Sequence, residues 1–145
     1  MDIFVYINLS DRKDKRKDLI EELKKLGIPS DKVYRINATR HFQGFIGCTL
    51  SHKKALTLGI IKNAKKMCLL EDDFMLQISP ERFHRKVNFA LKTLPSDFNV
   101  LYLAMTPILL KEIDKEHSLQ KVNKALAMPA MIINANYFQT LYQIY

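Results

Sequence analysis

The run Met67-Cys68-Leu69-Leu70, followed at once by Glu71-Asp72-Asp73, constrains this chain more than any other stretch. Four apolar residues bounded by charge on both sides are too few for an independent helix and read as a buried strand. Three adjacent carboxylates at the exit of such a strand repel one another, a local conflict of the kind that marks functional sites. A hard divalent cation resolves it, because carboxylate oxygens suit Mn²⁺ or Mg²⁺, which keep waters and take their remaining ligands from substrate phosphates. If strand geometry continues to Asp73, the two-residue period places Glu71 and Asp73 on one side, able to share an ion, and Asp72 on the other. An acidic turn balanced by Lys65 and Lys66 accounts for the same residues without any ligand.

Around this stretch the chain alternates strands and helices. Ile3 to Ile7 is β-branched and aromatic and predicts a first buried strand ending at Asn8-Leu9-Ser10. A helix follows, with Ser10 as N-cap, Leu19, Ile20, Leu23 and Leu26 as its apolar stripe, and Gly27 as its C-terminal stop. Lys32 to Ala38 alternates as a second strand, at a distance suited to a right-handed parallel crossover. A loop holding two of the four glycines, Gly44 and Gly47, leads into a helix from about Thr49 or Leu50 to Ala64. Ser79-Pro80 opens a further helix with Phe83, Val87, Ala90, Leu91 and Leu94 on one face, and Asn99 to Ala104 is another buried strand. Lys111 to Lys124 is mixed and polar, a long loop or a solvated helix. Met128 to Asn134 offers one more strand, and an apolar helix begins near Asn136. The pattern predicts a single α/β domain over residues 1–145, a three-layer sandwich with a mostly parallel sheet. Ligands of such sheets sit beyond the carboxyl ends of the strands, where Asn8, Ala38 and Glu71 to Asp73 all fall.

Composition excludes several alternatives. The 145 residues, 48% hydrophobic and 26% charged, suffice for one core and lack the signature of disorder. No apolar run is long enough to span a bilayer and no signal peptide is evident, so a cytoplasmic location is expected. Cys48 and Cys68 are expected to be reduced, buried thiols. Together with His41, His52, His84 and His117 they show no zinc-site spacing. The net charge of +8 fits a polyanionic partner: nucleic acid, an anionic membrane surface or a phosphorylated small molecule. Much of the excess lies in residues 12–17, interleaved with acid as on a solvated helix face, and no aromatics interleave with it, which argues against a base-stacking surface.

Three blocks in order carry a resemblance. They are Ile7-Asn8-Leu9 with Arg12, Asp14 and Arg16; Gly44-Phe45-Ile46-Gly47-Cys48-Thr49-Leu50-Ser51-His52 with Ala55-Leu56; and Leu70-Glu71-Asp72-Asp73. The set resembles glycosyltransferase family 25, which includes lipopolysaccharide-biosynthesis transferases and procollagen galactosyltransferases, over residues 3 to about 104. The resemblance implies a truncated nucleotide-diphosphate-sugar transferase fold of type A, and inverting transfer of a hexose, galactose or glucose, from a UDP-sugar to an acceptor hydroxyl assisted by Mn²⁺ or Mg²⁺. It implies Asp73, with Glu71, as metal ligands, and Glu71 or Asp72 toward the ribose or a metal-bound water. Asn8, Leu9, Ala38 and Thr39 would lie against the nucleotide, Ser51 and His52 in the donor-site wall, and Arg12 and Gly47 near the diphosphate or sugar phosphate. Asn8 as a strand-ending turn residue, Gly47 as a turn glycine, Ser51 as a first-turn cap, His52 as a structural group and Arg12 facing water remain open beside these roles.

Relatives continue into a segment that carries acidic acceptor-side residues, and the resemblance implies that this chain lacks it. The catalytic base is then unassigned, with Asp97, Glu112 and Asp114 as candidates. The expected function is therefore a metal-dependent glycosyltransferase that also hydrolyses its donor, with an unidentified glycan or protein acceptor. The alternatives are a catalytically weak sugar-nucleotide-binding remnant and, behind it, a basic nucleic-acid-binding domain. A homodimer is expected to cover the apolar tail from Tyr137 to Tyr145.

Overall fold

The structure is a computed structural model in which residues 1–114, 119–125 and 129–145 are described. Among the described residues seven strands and four α-helices follow one another: β1 (Ile3–Asn8), α1 (Lys13–Lys25), β2 (Val33–Asn37), α2 (Gly44–Ile61), β3 (Lys66–Glu71), α3 (Pro80–Thr93), β4 (Val100–Ala104), β5 (Pro107–Asp114), β6 (Leu119–Ala125), β7 (Ala130–Asn134) and α4 (Phe138–Ile144). Five strands form one sheet in the order β2-β1-β3-β7-β4. β2, β1 and β3 pair in parallel, whereas β7 runs antiparallel to both β3 and β4. Four strands therefore point the same way and β7 alone is reversed, so the sheet is mixed.

Apolar side chains alternate between the two faces of β1 and β3, and each face is covered. On one, Val5, Ile7, Met67, Leu69 and Ile133 pack with Ala55 and Leu56 of α2 and Phe138 of α4. On the other, Tyr6, Cys68, Leu70 and Ile132 meet Leu19 and Leu23 of α1, with Phe83 and Val87 of α3 at the margin. These are the three layers that the alternating pattern predicts. Helix α1 ends as Gly27 indicates: Gly27 takes φ +66°, its N–H donates to the Lys24 carbonyl and that of Ile28 to the Leu23 carbonyl, a Schellman stop. Ser79 caps α3, its Oγ accepting from the Arg82 N–H at 3.3 Å.

Four expectations are corrected. Ser10 does not cap α1. The Arg12 N–H closes a turn onto the Leu9 carbonyl, and the helix starts at Lys13 without a side-chain cap. Helix α2 begins at Gly44, not near Thr49, so both loop glycines are helical. Residues 111–124 are neither loop nor solvated helix where described. They belong to the antiparallel pair β5–β6, a separate two-stranded sheet with an irregular register. The C-terminal tail is not bare: Phe138 is buried, and Leu141 and Tyr145 pack against the α2 side of the core. Ile144 remains exposed. Strand β7 starts at Ala130; Met128, where the sequence pattern starts it, and His117 lie outside the described residues.

Candidate active site

From β1 the chain passes to β2 on one side and then returns to β3 on the other, with α1 and α2 on opposite faces of the sheet. Such a reversal opens a crevice at the carboxyl ends of the strands. A cavity of about 460 Å³ lies there, within the size range of small-molecule sites. Its floor is Ile7, Asn8 and Leu9 at the end of β1, and Glu71 and Asp72 at the end of β3. One wall is Ala38 to His41, following β2. Packed against it is the first half of α2, which adds Gly44, Gly47, Cys48, Ser51 and His52 to the lining.

Close packing holds the two walls in register. Ser51 Oγ donates to the Gly47 carbonyl at 2.6 Å and accepts from the Thr39 N–H at 2.8 Å. Ser51 is thus a mid-helix hydroxyl that ties the β2 loop to α2, because α2 begins seven residues before it. Gly47 serves the same junction. A Cβ there would stand 2.5 Å from the Thr39 carbonyl oxygen, so only glycine lets the loop pass this close. Lys54 Nζ donates to Thr39 Oγ1 at 2.7 Å.

Asn8 is 1% exposed and every polar atom of its side chain is engaged. Nδ2 donates to the Arg12 carbonyl at 2.9 Å and to Asp72 Oδ2 at 2.8 Å, while Oδ1 accepts from Arg35 Nε at 3.2 Å. Asn8 therefore aims Asp72 into the cavity. Strand β3 ends at Glu71, and the Phe74 N–H donates to the Glu71 carbonyl at 3.2 Å, so Asp72 and Asp73 form a turn. The two-residue period stops there. Glu71 and Asp72 line the cavity, Asp72 also borders a groove on the α1 side, and Asp73 lies in that groove alone, beside Lys15 and Asp18.

Burial, reinforced by the charges of Asp73 and Asp72, raises the Glu71 pKa. Burial lowers that of His52, against the pull of its hydrogen bond to the Cys48 carbonyl, and raises that of the Cys48 thiol, with Glu71 adding to the effect. Among the described residues no Lys or Arg forms an ion pair with Glu71, Asp72 or Asp73. Lys65 and Lys66 stand at the start of β3, the end away from the acidic block. Two carboxylates converging on one cavity without a cationic partner are a donor set that fits a hard divalent ion.

Of the other residues singled out from sequence, Arg12 lies outside the cavity wall and forks onto Asp14, with Nη2 at 2.9 Å from Oδ2. Asp97 precedes β4 at the opposite end of the sheet, its carbonyl accepting from Asn136 Nδ2. Glu112 sits exposed on β5, opposite Gln120, and Asp114 ends that strand. Arg40, His41 and Cys48 line the cavity without having been singled out. Arg35 Nη2 reaches the Asn8 carbonyl at 3.3 Å, so a strand arginine abuts the floor. Arg40 and Arg35 were legible only as basic residues near the end of a predicted strand.

An α/β domain with a carboxylate-bearing cavity at the reversal point of its sheet is a small-molecule-binding, enzyme-type architecture. Residues 30–141 match glycosyltransferase family 25, described as an LPS biosynthesis protein, and the chain belongs to that family. The match starts after β1 and α1 and runs through β7 into α4, and so takes in every cavity residue except those at the end of β1. No curated protein matches the chain. Membership makes it a glycosyltransferase-type domain with a sugar donor and an acceptor. No helix among the described residues is long and apolar enough to cross a membrane.

Proposed function

We propose that the cavity binds a nucleoside-diphosphate sugar, a UDP-hexose such as UDP-galactose or UDP-glucose, with a Mn²⁺ or Mg²⁺ ion, and that the domain has the type A transferase fold. The observation that carries this reading is the convergence of Glu71 and Asp72 on one cavity with no Lys or Arg paired to them among the described residues. In this reading Glu71 and Asp72 hold the ion, and Asp73 joins them only if the turn after β3 rearranges. When bound, the ion supplies positive charge against the diphosphate as it leaves.

The protein's own groups do the rest. Asn8 fixes the Asp72 carboxylate, and Arg40 at the rim offers a planar fork for phosphate oxygens that its exposed pairing with Asp11 leaves available by exchange. Thr39 and Ser51 hold the loop that forms the nucleotide wall. Inverting transfer needs a base beside the acceptor hydroxyl, and Asp97, at the far end of the sheet, is poorly placed to supply it. Hydrolysis of the donor beside transfer belongs to the same proposal.

Release of UDP from a panel of sugar donors, with and without Mn²⁺ and with candidate glycan acceptors, tests the proposal. Mn²⁺-dependent release from one or two UDP-hexoses supports it. Mn²⁺-dependent UDP binding without turnover would leave the binding remnant as the better description, and failure to bind any nucleotide would overturn both.

A further inference from the structure

Besides the hard-oxygen pair, the cavity holds a set of ligands of another chemical character. Cys48 and His52 stand one helical turn apart on α2, and their side chains face Glu71 at the end of β3. One ligand atom from each, sulfur, nitrogen and oxygen, lies within 4.8 Å of the others. We propose that Cys48, His52 and Glu71 form a binding site for a thiolate-seeking divalent cation of the Zn²⁺ class.

Three observations carry the assignment. The first is the orientation of His52. Its Nδ1 lies 3.0 Å from the Cys48 carbonyl oxygen, an acceptor only, and 3.5 Å from Cys48 Sγ; with the Nδ1 proton directed to that carbonyl, Nε2 presents a lone pair. Metal-bound imidazoles are held in this way, by donating the other ring N–H to a carbonyl or carboxylate. The second is what Nε2 faces. Glu71 Oε1 stands 3.7 Å away, too far for a hydrogen bond and close to the separation of two ligands on one tetrahedral ion with bonds of about 2.0–2.3 Å. Two lone-pair bearers opposed in this way call for positive charge between them.

The third observation is access. His52 is 3% exposed, but Cys48 is open to the cavity, so an ion can enter from the donor side and lose water on one face only. The Tyr145 ring lies against His52, with centroids 4.9 Å apart, and closes the other side. Soft sulfur and borderline nitrogen distinguish this set from Glu71 with Asp72, which offers oxygen alone. The thiol must lose its proton on binding, because the thiolate is the ligand. Zn²⁺ affinity should therefore rise with pH.

Glu71 belongs to both sets. An ion held by Cys48 and His52 draws that carboxylate away from Asp72, so Zn²⁺ would compete with Mn²⁺ for the donor site; this consequence, unlike the site itself, rests on the proposed function.

The test needs no nucleotide. The reduced, chelator-treated protein is titrated with Co²⁺ as a spectroscopic probe, and Zn²⁺ affinity is measured by competition with a chromophoric chelator. The expected result is one Co²⁺ per chain with a sulfur-to-metal charge-transfer band in the near ultraviolet, displaced by Zn²⁺. In Cys48→Ser, a near-isosteric change at an exposed side chain, the band should vanish. Zn²⁺ affinity should then fall by more than about tenfold, the lower end of what even an outer-sphere change costs. Absence of the band in the parent protein, or equal Zn²⁺ affinity in Cys48→Ser with its circular dichroism unchanged, would overturn the proposal. A Zn²⁺ site in a protein that binds no nucleotide would refute the proposed function and leave this inference standing.

Discussion

Gly47→Ala isolates the contact that shapes the cavity. Alanine is a better helix former than glycine by about 0.8–1.0 kcal/mol, so a substitution inside α2 should stabilise the protein if nothing else changes. At Gly47, however, the new methyl would stand 2.5 Å from the Thr39 carbonyl oxygen and 3.3 Å from the His41 nitrogen, and both are backbone atoms. The loop cannot swing aside freely, because the Thr39 N–H is held by Ser51 Oγ at 2.8 Å. Relief of the overlap therefore takes overpacking strain of about 1–3 kcal/mol, or breaks that hydrogen bond. Gly44→Ala is the internal control. It lies on the same helix, and its added methyl meets nothing within 4 Å. Gly44 is the first residue of α2, where helix propensity counts for less, so the gain at Gly47 offsets part of the strain and Gly47→Ala should be less stable than Gly44→Ala by up to about 2 kcal/mol. Gly59→Ala, which would meet flexible side-chain atoms of Phe138 and Met67 at 3.1 and 3.2 Å, should fall between them. Urea denaturation of the four proteins gives the ranking. Equal stability of the Gly47 and Gly44 variants would refute the argument that this glycine is required by the approach of the β2 loop.

Glu71→Gln should stabilise the protein at neutral pH. Burial and its acidic neighbours raise the folded-state pKa of Glu71, so the parent loses stability as pH rises above the ordinary glutamate range, and the advantage of the variant should disappear near pH 4; thermal denaturation against pH reads this directly. Asp72→Asn should weaken Mn²⁺-dependent UDP binding more than Asp73→Asn does, because Asp72 lines the cavity and Asp73 faces α1; calorimetric titration with both variants reverses this order if the turn rearranges on binding. Ser79→Ala should cost about 0.5–2 kcal/mol in urea denaturation through loss of the α3 cap. Leu69→Ala, at a position 1% exposed in the central strand, should cost about 2–5 kcal/mol, and a loss under 1 kcal/mol would contradict the packing described for that face.

What was legible in the sequence was what local chemistry dictates. The β3 strand, the Gly27 stop and the Ser79 cap each depend on a few adjacent residues, and each stands where those residues predict. The start of α2 was hidden for two reasons. No Ser, Thr, Asp or Asn precedes it, and the stripe it presents inward is Gly47, Ser51, His52, Ala55, Leu56 and Gly59, small and polar residues at helical spacing that a reading of hydrophobicity passes over. The β5–β6 pair was hidden because most of its described residues are exposed, so nothing imposes an alternating pattern. At the site, the acidic block and the β1 end were correctly placed at the mouth of the sheet. Which carboxylates share the cavity depended on where β3 turns, a matter of one residue, and the engagement of Asn8 with Asp72 joins positions 64 apart, beyond any local signal.

The reversed strand β7 also sets an order for assembly. Among the described residues β4 pairs in the main sheet only with β7, and one edge of β3 is likewise filled by β7, although residues 130–134 follow β3 by about two fifths of the chain. The parallel unit β2-β1-β3 can close early through α1 and α2, whereas the far side waits for a late, long-range pairing whose loop-closure entropy slows it. Until then the apolar edge of β3 is an open template for another chain. Hydrogen exchange during refolding should accordingly protect β1 amides before those of β4, and crowding at that stage should favour aggregation through β3 over any failure of the finished domain.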